Sequence, residues 1–133
     1  MSSRVIYPLQ RSGNLLFLRA SIRGLNGDSL RVRLLLDTGS SYTTLPFKVL
    51  EDLGYEPSIA TRQISIMTAG GMSRAPVLPI SAFDCLGKTF TNFSIVALDL
   101  PFNPLMSGLL GMDCLSQIGA VIDVQKAEIL MRS

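Results

Sequence analysis

Apolar and polar positions alternate along most of this chain in short runs, and Gly or Pro interrupts them at intervals of roughly ten residues. Val, Ile, Leu and Phe dominate the runs between. A period of two with regular turn residues predicts an all-β domain. The clearest hairpin signal is Asn26-Gly27, a pair that supplies the positive φ angles of a tight turn. It lies between LLFLRASIRG at 15–24 and SLRVRLLL at 29–36. In the second run Arg31 and Arg33 alternate with Val32 and Leu34, so that strand should begin half exposed and end buried.

Two segments leave the β period. Pro46 opens a stretch with Phe47, Leu50 and Leu53 at spacing three and Gly54 just beyond, which predicts a short helix over 46–53. MDCLSQI at 112–118 predicts a second, with Asp113 favouring its N-terminal end and Gly119 closing it. AVIDV (120–124) and AEILM (127–131) read as strands around a turn at Gln125-Lys126. Two strand-like stretches between 61 and 83 surround Ala69-Gly70-Gly71, uncharged from Gln63 to Ser73, and predict a hairpin with a mobile tip. LDLPFNPLMSGLLG (98–111) reads as an irregular loop that enters a buried strand at Leu109-Leu110.

Composition narrows the function classes. A chain of 133 residues, 47% hydrophobic and 17% charged, suits a single ordered domain spanning 1–133 and is apolar enough to suggest a buried interface. The net charge of +2 is scattered, with no basic block, which gives nucleic-acid binding no support. No window approaches a membrane span and no apolar leader stands at the N-terminus, so the chain is expected to be soluble and cytoplasmic. Cys85 and Cys114 lack metal-ligand spacing and read as buried reduced thiols. There is no histidine, which removes Ser-His and Cys-His nucleophilic machinery and most zinc sites within one chain. Carboxylates, lysines and hydroxyls remain.

One carboxylate stands out. LLLDTGSS at 34–41 drives an apolar strand into Asp37, a residue type seldom buried without a partner. An Asx turn, with the carboxylate taking local backbone N–H groups, is one explanation. The rest of the chain fits another. The motif at 35–40, two hydrophobic residues followed by Asp-Thr-Gly-Ser, resembles that of the retropepsin-like aspartic proteases. LLGMDCLSQIGAVIDV at 109–124 resembles the second hydrophobic-hydrophobic-Gly motif, helix and strand of the same family, nearer its cellular and bacterial members than its viral ones. A Gly-Gly hairpin falls midway, and the resemblance covers a core of about 15–131.

That resemblance implies a closed, barrel-like β fold with a flap hairpin and one or two short helices. It also implies an aspartic endopeptidase, needing no cofactor or metal, that acts on extended peptides or unfolded protein. In this family two aspartates hold a water: one takes its proton while the other, protonated, polarises the scissile carbonyl. Two carboxylates about 4 Å apart repel by roughly 4 kcal/mol at an effective dielectric of 20, so they share one proton. This chain has a single Asp-Thr-Gly, and a two-fold homodimer would supply the second Asp37.

By the same resemblance Thr38 would hydrogen-bond across the dimer axis, and Gly39 would bring its N–H to the carboxylate. Ser40 would donate to the outer oxygen of Asp37. Ala69, Gly70 and Gly71 would form the flap tip over substrate, and Met106, Ser107 and Leu109 would wall its side-chain pockets. Two positions depart from retroviral relatives, which often carry Arg directly after the second-motif glycine and Asp shortly after the catalytic triplet. Here they read Met112 and Ser41, the chain continues into QKAEILMRS, and the flap has no obvious aromatic. The alternative function is a catalytically silent peptide-binding or dimerisation module of the same fold. A metal hydrolase finds no ligand spacing among Glu51, Asp52, Asp84, Asp99 and Asp113.

Overall fold

Alternating runs become strands where one side of the run can be buried. The computed structural model describes residues 4–68, 70–100 and 106–132. The chain opens with β1 (Arg4–Pro8), β2 (Gln10–Ser12), β3 (Leu15–Arg23) and β4 (Ser29–Leu36). β3 and β4 form the expected hairpin, in antiparallel register from Phe17 opposite Leu35 to Arg23 opposite Ser29. Val32 and Leu34 are buried while Arg31 is exposed, as the alternation requires. The turn is wider than a two-residue one. Gly24 N–H reaches the Asp28 carbonyl at 2.7 Å, and the Asn26 side-chain oxygen accepts the Asp28 N–H at 3.0 Å. Gly27 has a φ of +89°, whereas Asn26 stays at negative φ and caps the loop with its side chain.

Next come β5 (Thr44–Leu45) and α1 (Phe47–Asp52), with Pro46 as its N-cap, Leu50 fully buried and Gly54 at a φ of +86° just past its end. A single 3-10 turn at Pro57–Ile59 leads into β6 (Gln63–Thr68), β7 (Gly71–Cys85) and β8 (Lys88–Ala97). The remaining elements are β9 (Gly108–Leu110), α2 (Met112–Ile118), β10 (Val121–Asp123) and β11 (Glu128–Arg132). Gly119 takes a left-handed conformation at the end of α2, the stop the sequence indicates.

Four strands, β1, β2, β5 and β8, carry no expectation from the sequence pattern. β8 escapes it because its first half is polar and Asn92, at a φ of +51°, breaks the alternation. The ladder with β7 keeps a single register through this point, from Ile80 opposite Phe93 to Ala82 opposite Thr91. β1 escapes it as a short, half-exposed edge strand, yet its residue Tyr7 packs on the core and Leu9 follows it inside. The fold therefore begins ahead of Leu15.

The sheet closes on itself. Neighbouring strands run β3-β4-β9-β5-β8-β7, and β7 pairs back onto β3 through Ala20–Cys85 and Ile22–Phe83. β2 and β6 extend the margins, and a separate three-stranded sheet, β1-β11-β10, joins the two ends of the chain. One core serves both, with Ile22, Leu34, Phe83, Leu110 and Ile129 fully buried. Phe83 stacks on Phe93 at 5.1 Å, with Phe90 tilted against both. Cys85 and Cys114 are buried, unbridged and in contact. The hydrogen bond with Cys114, and then burial, push the Cys85 thiol far above its ordinary range, so it behaves as a protonated core side chain.

β6 and the start of β7 form the hairpin expected around the glycine pair, from Gln63 opposite Pro76 to Thr68 opposite Gly71. The long β7 then continues into the barrel, so hairpin and barrel share one strand. Ala75, Val77 and Val96, with Ile64, Ile66 and Leu98 packed on them, root the hairpin. Among the described residues no helix is long and apolar enough to cross a membrane.

Candidate active site

Asp37 is placed by two strands running in parallel. β4 lies beside β9 with Leu34, Leu35 and Leu36 level with Gly108, Leu109 and Leu110. The Ser107 N–H donates to the Arg33 carbonyl at 2.7 Å, and the Asp37 N–H donates to the Leu110 carbonyl at 3.0 Å. The two sequence motifs are thus zipped together along their whole apolar length. Asp37 emerges half-buried at the end of that zipper.

The turn after it is tight. Gly39 N–H donates to Asp37 Oδ1 at 3.0 Å, and Ser40 N–H donates to the Asp37 carbonyl at 3.1 Å. Among the described residues the second carboxylate oxygen, Oδ2, has no hydrogen-bond donor, and the exposed Thr38 hydroxyl has no partner. The Asx turn weighed from the sequence is therefore present, and it occupies half of the carboxylate. Ser40 differs from expectation: its hydroxyl donates to the Tyr42 carbonyl at 2.8 Å and not to Asp37. That bond keeps the chain turning toward the interior.

The loop is then clamped from below by α2. Met112 N–H donates to the Ser40 carbonyl at 2.8 Å and Asp113 N–H to the Ser41 carbonyl at 3.2 Å. Asp113 takes Thr43 N–H on one oxygen at 2.9 Å and the Thr43 hydroxyl on the other at 2.8 Å. The second oxygen also accepts the N–H of Cys114 at 2.8 Å. Thr43 is fully buried, and its hydroxyl oxygen in turn accepts Gly111 N–H at 3.2 Å. Gly111 fits because it has no side chain: a Cβ there would stand 2.6 to 2.9 Å from Tyr42 backbone atoms. Where an Arg and an Asp were expected to be missing as an ion pair, backbone bonds and the Asp113 carboxylate join the same two segments. Sequence reasoning gave Asp113 only a helix-end role, since nothing links it to a threonine 70 positions away.

The other expected site residues fall in two places. Ser107 and Leu109 lie beside β4, with Leu109 half-buried and level with Leu35, and Met106 precedes them half-buried. Gly70 and Gly71 lie at the far end of the β6–β7 hairpin, where Gly71 has a φ of +110°. Ala69 lies outside the described residues. Exposed Met67 and Met72 face one another next to the tip. The base of the hairpin is tied to the site through β8, whose Val96 N–H donates to the Thr43 carbonyl at 3.0 Å and whose neighbour Leu98 bonds to Leu45.

Residues 19–114, most of the chain and both zipped motifs, match the aspartyl protease family. The chain belongs to the aspartyl proteases. Its retropepsin-like fold is shared with a retropepsin-like aspartic protease from Rickettsia conorii, at a TM-score of 0.69 and 22% identity over 99% of this chain and 92% of that one. It is shared too with the EIAV protease, solved in complex with the inhibitor HBY-793, at 0.62 and 20% identity over 86% of this chain and 97% of that one. No curated protein sequence matches it. Within this aspartyl protease the Asp-Thr-Gly triplet and the second-motif glycine are the two points where the zipper ends.

Proposed function

We propose that the whole chain acts as one half of a homodimeric aspartic endopeptidase in which Asp37 of each subunit meets at the two-fold axis. The observation that carries this is the half-satisfied Asp37. One oxygen is held by Gly39 N–H, the other has no donor among the described residues, and the adjacent Thr38 hydroxyl is exposed and unpartnered. A carboxylate and a hydroxyl left open side by side at a rigid strand end suit a symmetric partner presenting the same pair.

The chemistry follows from one proton on two acids. Facing carboxylates repel too strongly for both to be charged, so the pair holds a single proton and a water between them. The charged member removes the water's proton as oxygen attacks the scissile carbonyl. The protonated member donates to the carbonyl oxygen, and the resulting tetrahedral diol collapses as its nitrogen takes a proton and leaves. Gly39 N–H fixes the direction of each carboxylate, and the β4–β9 zipper limits its movement. Substrate adds as an extended strand between the flap hairpin and the apolar wall at Leu109.

Purified protein should cleave an unstructured peptide mixture best at mildly acid pH, where one of the two acids holds a proton and the other does not. A peptidomimetic with a hydroxyl in place of the scissile carbonyl should inhibit it in competition with substrate. Tight binding of that compound with no cleavage of any peptide would point to the silent module.

A further inference from the structure

Beyond Asp37 the same sheet face changes character. Period two along β4 sets Arg31, Arg33, Leu35 and, just past the strand, Asp37 on one side. Register extends that face: Phe17 stands opposite Leu35, Arg19 opposite Arg33, and Leu109 level with Leu35. Moving away from the catalytic carboxylate, the surface is first apolar and then cationic.

Arg19 and Arg33 face each other directly across the ladder, a like-charge pairing that opposes the sheet. Arg31 continues the cluster. Among the described residues none of these guanidinium groups has an ion-pair or hydrogen-bond partner. Arg33 lies over the Phe17 ring at 4.4 Å, and its Nε is buried with no acceptor. One groove is lined by Arg19, Arg31 and Lys88 together with a single acid, Asp84, which stands opposite Ser21 and accepts from the Thr89 hydroxyl. A single arginine on an aromatic ring is ordinary packing. Three cations against one acid in that groove, with a guanidinium donor of Arg33 buried and unsatisfied beside it, leave positive charge to spare for an anion.

We propose that Arg33, flanked by Arg19 and Arg31, is a specificity-determining site for an acidic side chain of the peptide substrate. The inference rests on the proteolytic function proposed above. Arg33 is four residues along β4 from Asp37, about 13 Å at the rise of a strand, so a peptide laid along β4 would reach it with the third or fourth residue from the scissile bond. The Phe17 ring under the guanidinium carbon restricts where the Arg33 side chain can go, which lowers the cost of ordering it on a carboxylate.

The test compares cleavage of peptide pairs that differ only by Glu or Gln at each position two to five residues from the scissile bond. Wild type should favour Glu about tenfold in kcat/KM at one of these positions, with the preference shrinking as salt rises. Arg33→Met should abolish that ratio, Arg33→Glu should shift it toward Lys, and Arg33→Lys should retain part of it. Lys126→Gln, at an exposed turn far along the chain, should leave it unchanged. An identical Glu-to-Gln ratio in wild type and Arg33→Met overturns the proposal. If Arg33→Met does not fold, Arg33→Lys and Arg19→Gln give the same readout. A wild type that cleaves no peptide at all overturns instead the proteolytic reading on which the site depends.

Discussion

Asp37→Asn should fold, dimerise and cleave nothing. The amide keeps an oxygen where Oδ1 accepts Gly39 N–H, so the turn survives. It cannot take a proton from water, and loss of a general base of this kind lowers kcat by at least about 10³-fold. Mixing makes the prediction sharper. If both subunits must contribute a carboxylate, equal amounts of wild type and Asp37→Asn exchanging freely should give roughly half the activity per wild-type chain, because mixed dimers are dead. Activity per wild-type chain that ignores the mutant would show that a single Asp37 suffices.

The second large effect belongs to a residue that touches no substrate. Asp113→Ala should destabilise the protein by about 2–4 kcal/mol, because it strands the buried N–H and hydroxyl of Thr43 and removes the acceptor for the Cys114 N–H in the first turn of α2. The midpoint of urea unfolding at fixed protein concentration reads this directly. Thr43→Val should follow it, losing both the bond to Asp113 and the acceptor for Gly111 N–H. The double variant should cost less than the sum, since the two residues act as one unit. Because α2 also holds the carbonyls of Ser40 and Ser41, kcat should fall more than KM rises. Additive losses would show that clamp and loop are independent.

The sequence made the strand before Asp37 legible because its leucines are continuous and its turn residues unambiguous. It made both helices legible because Pro46, Gly54 and Gly119 mark their ends. The flap hairpin announced itself by a glycine pair between apolar runs. What escaped did so for physical reasons. β8 mixes polar residues with a left-handed Asn92, so neither period survives along it. Asn26-Gly27 suggested a tight turn, but the asparagine closes a wider loop with its side chain and leaves the positive φ to glycine alone. Ser40 was expected to serve the carboxylate, yet a backbone carbonyl two residues on is nearer its hydroxyl. Asp113 and Thr43 are polar residues far apart in the chain, and only folding brings the carboxylate onto a hydroxyl and an amide at once.

The open face at Asp37 is the centre of the account, and native mass measured at micromolar protein with and without the hydroxyl-containing peptidomimetic tests it most directly. The expected result is a species of twice the 14.4 kDa chain mass that carries one inhibitor molecule per pair of chains. A chain that stays monomeric under both conditions, or a dimer that binds one inhibitor per subunit, would contradict a site shared between two copies of Asp37.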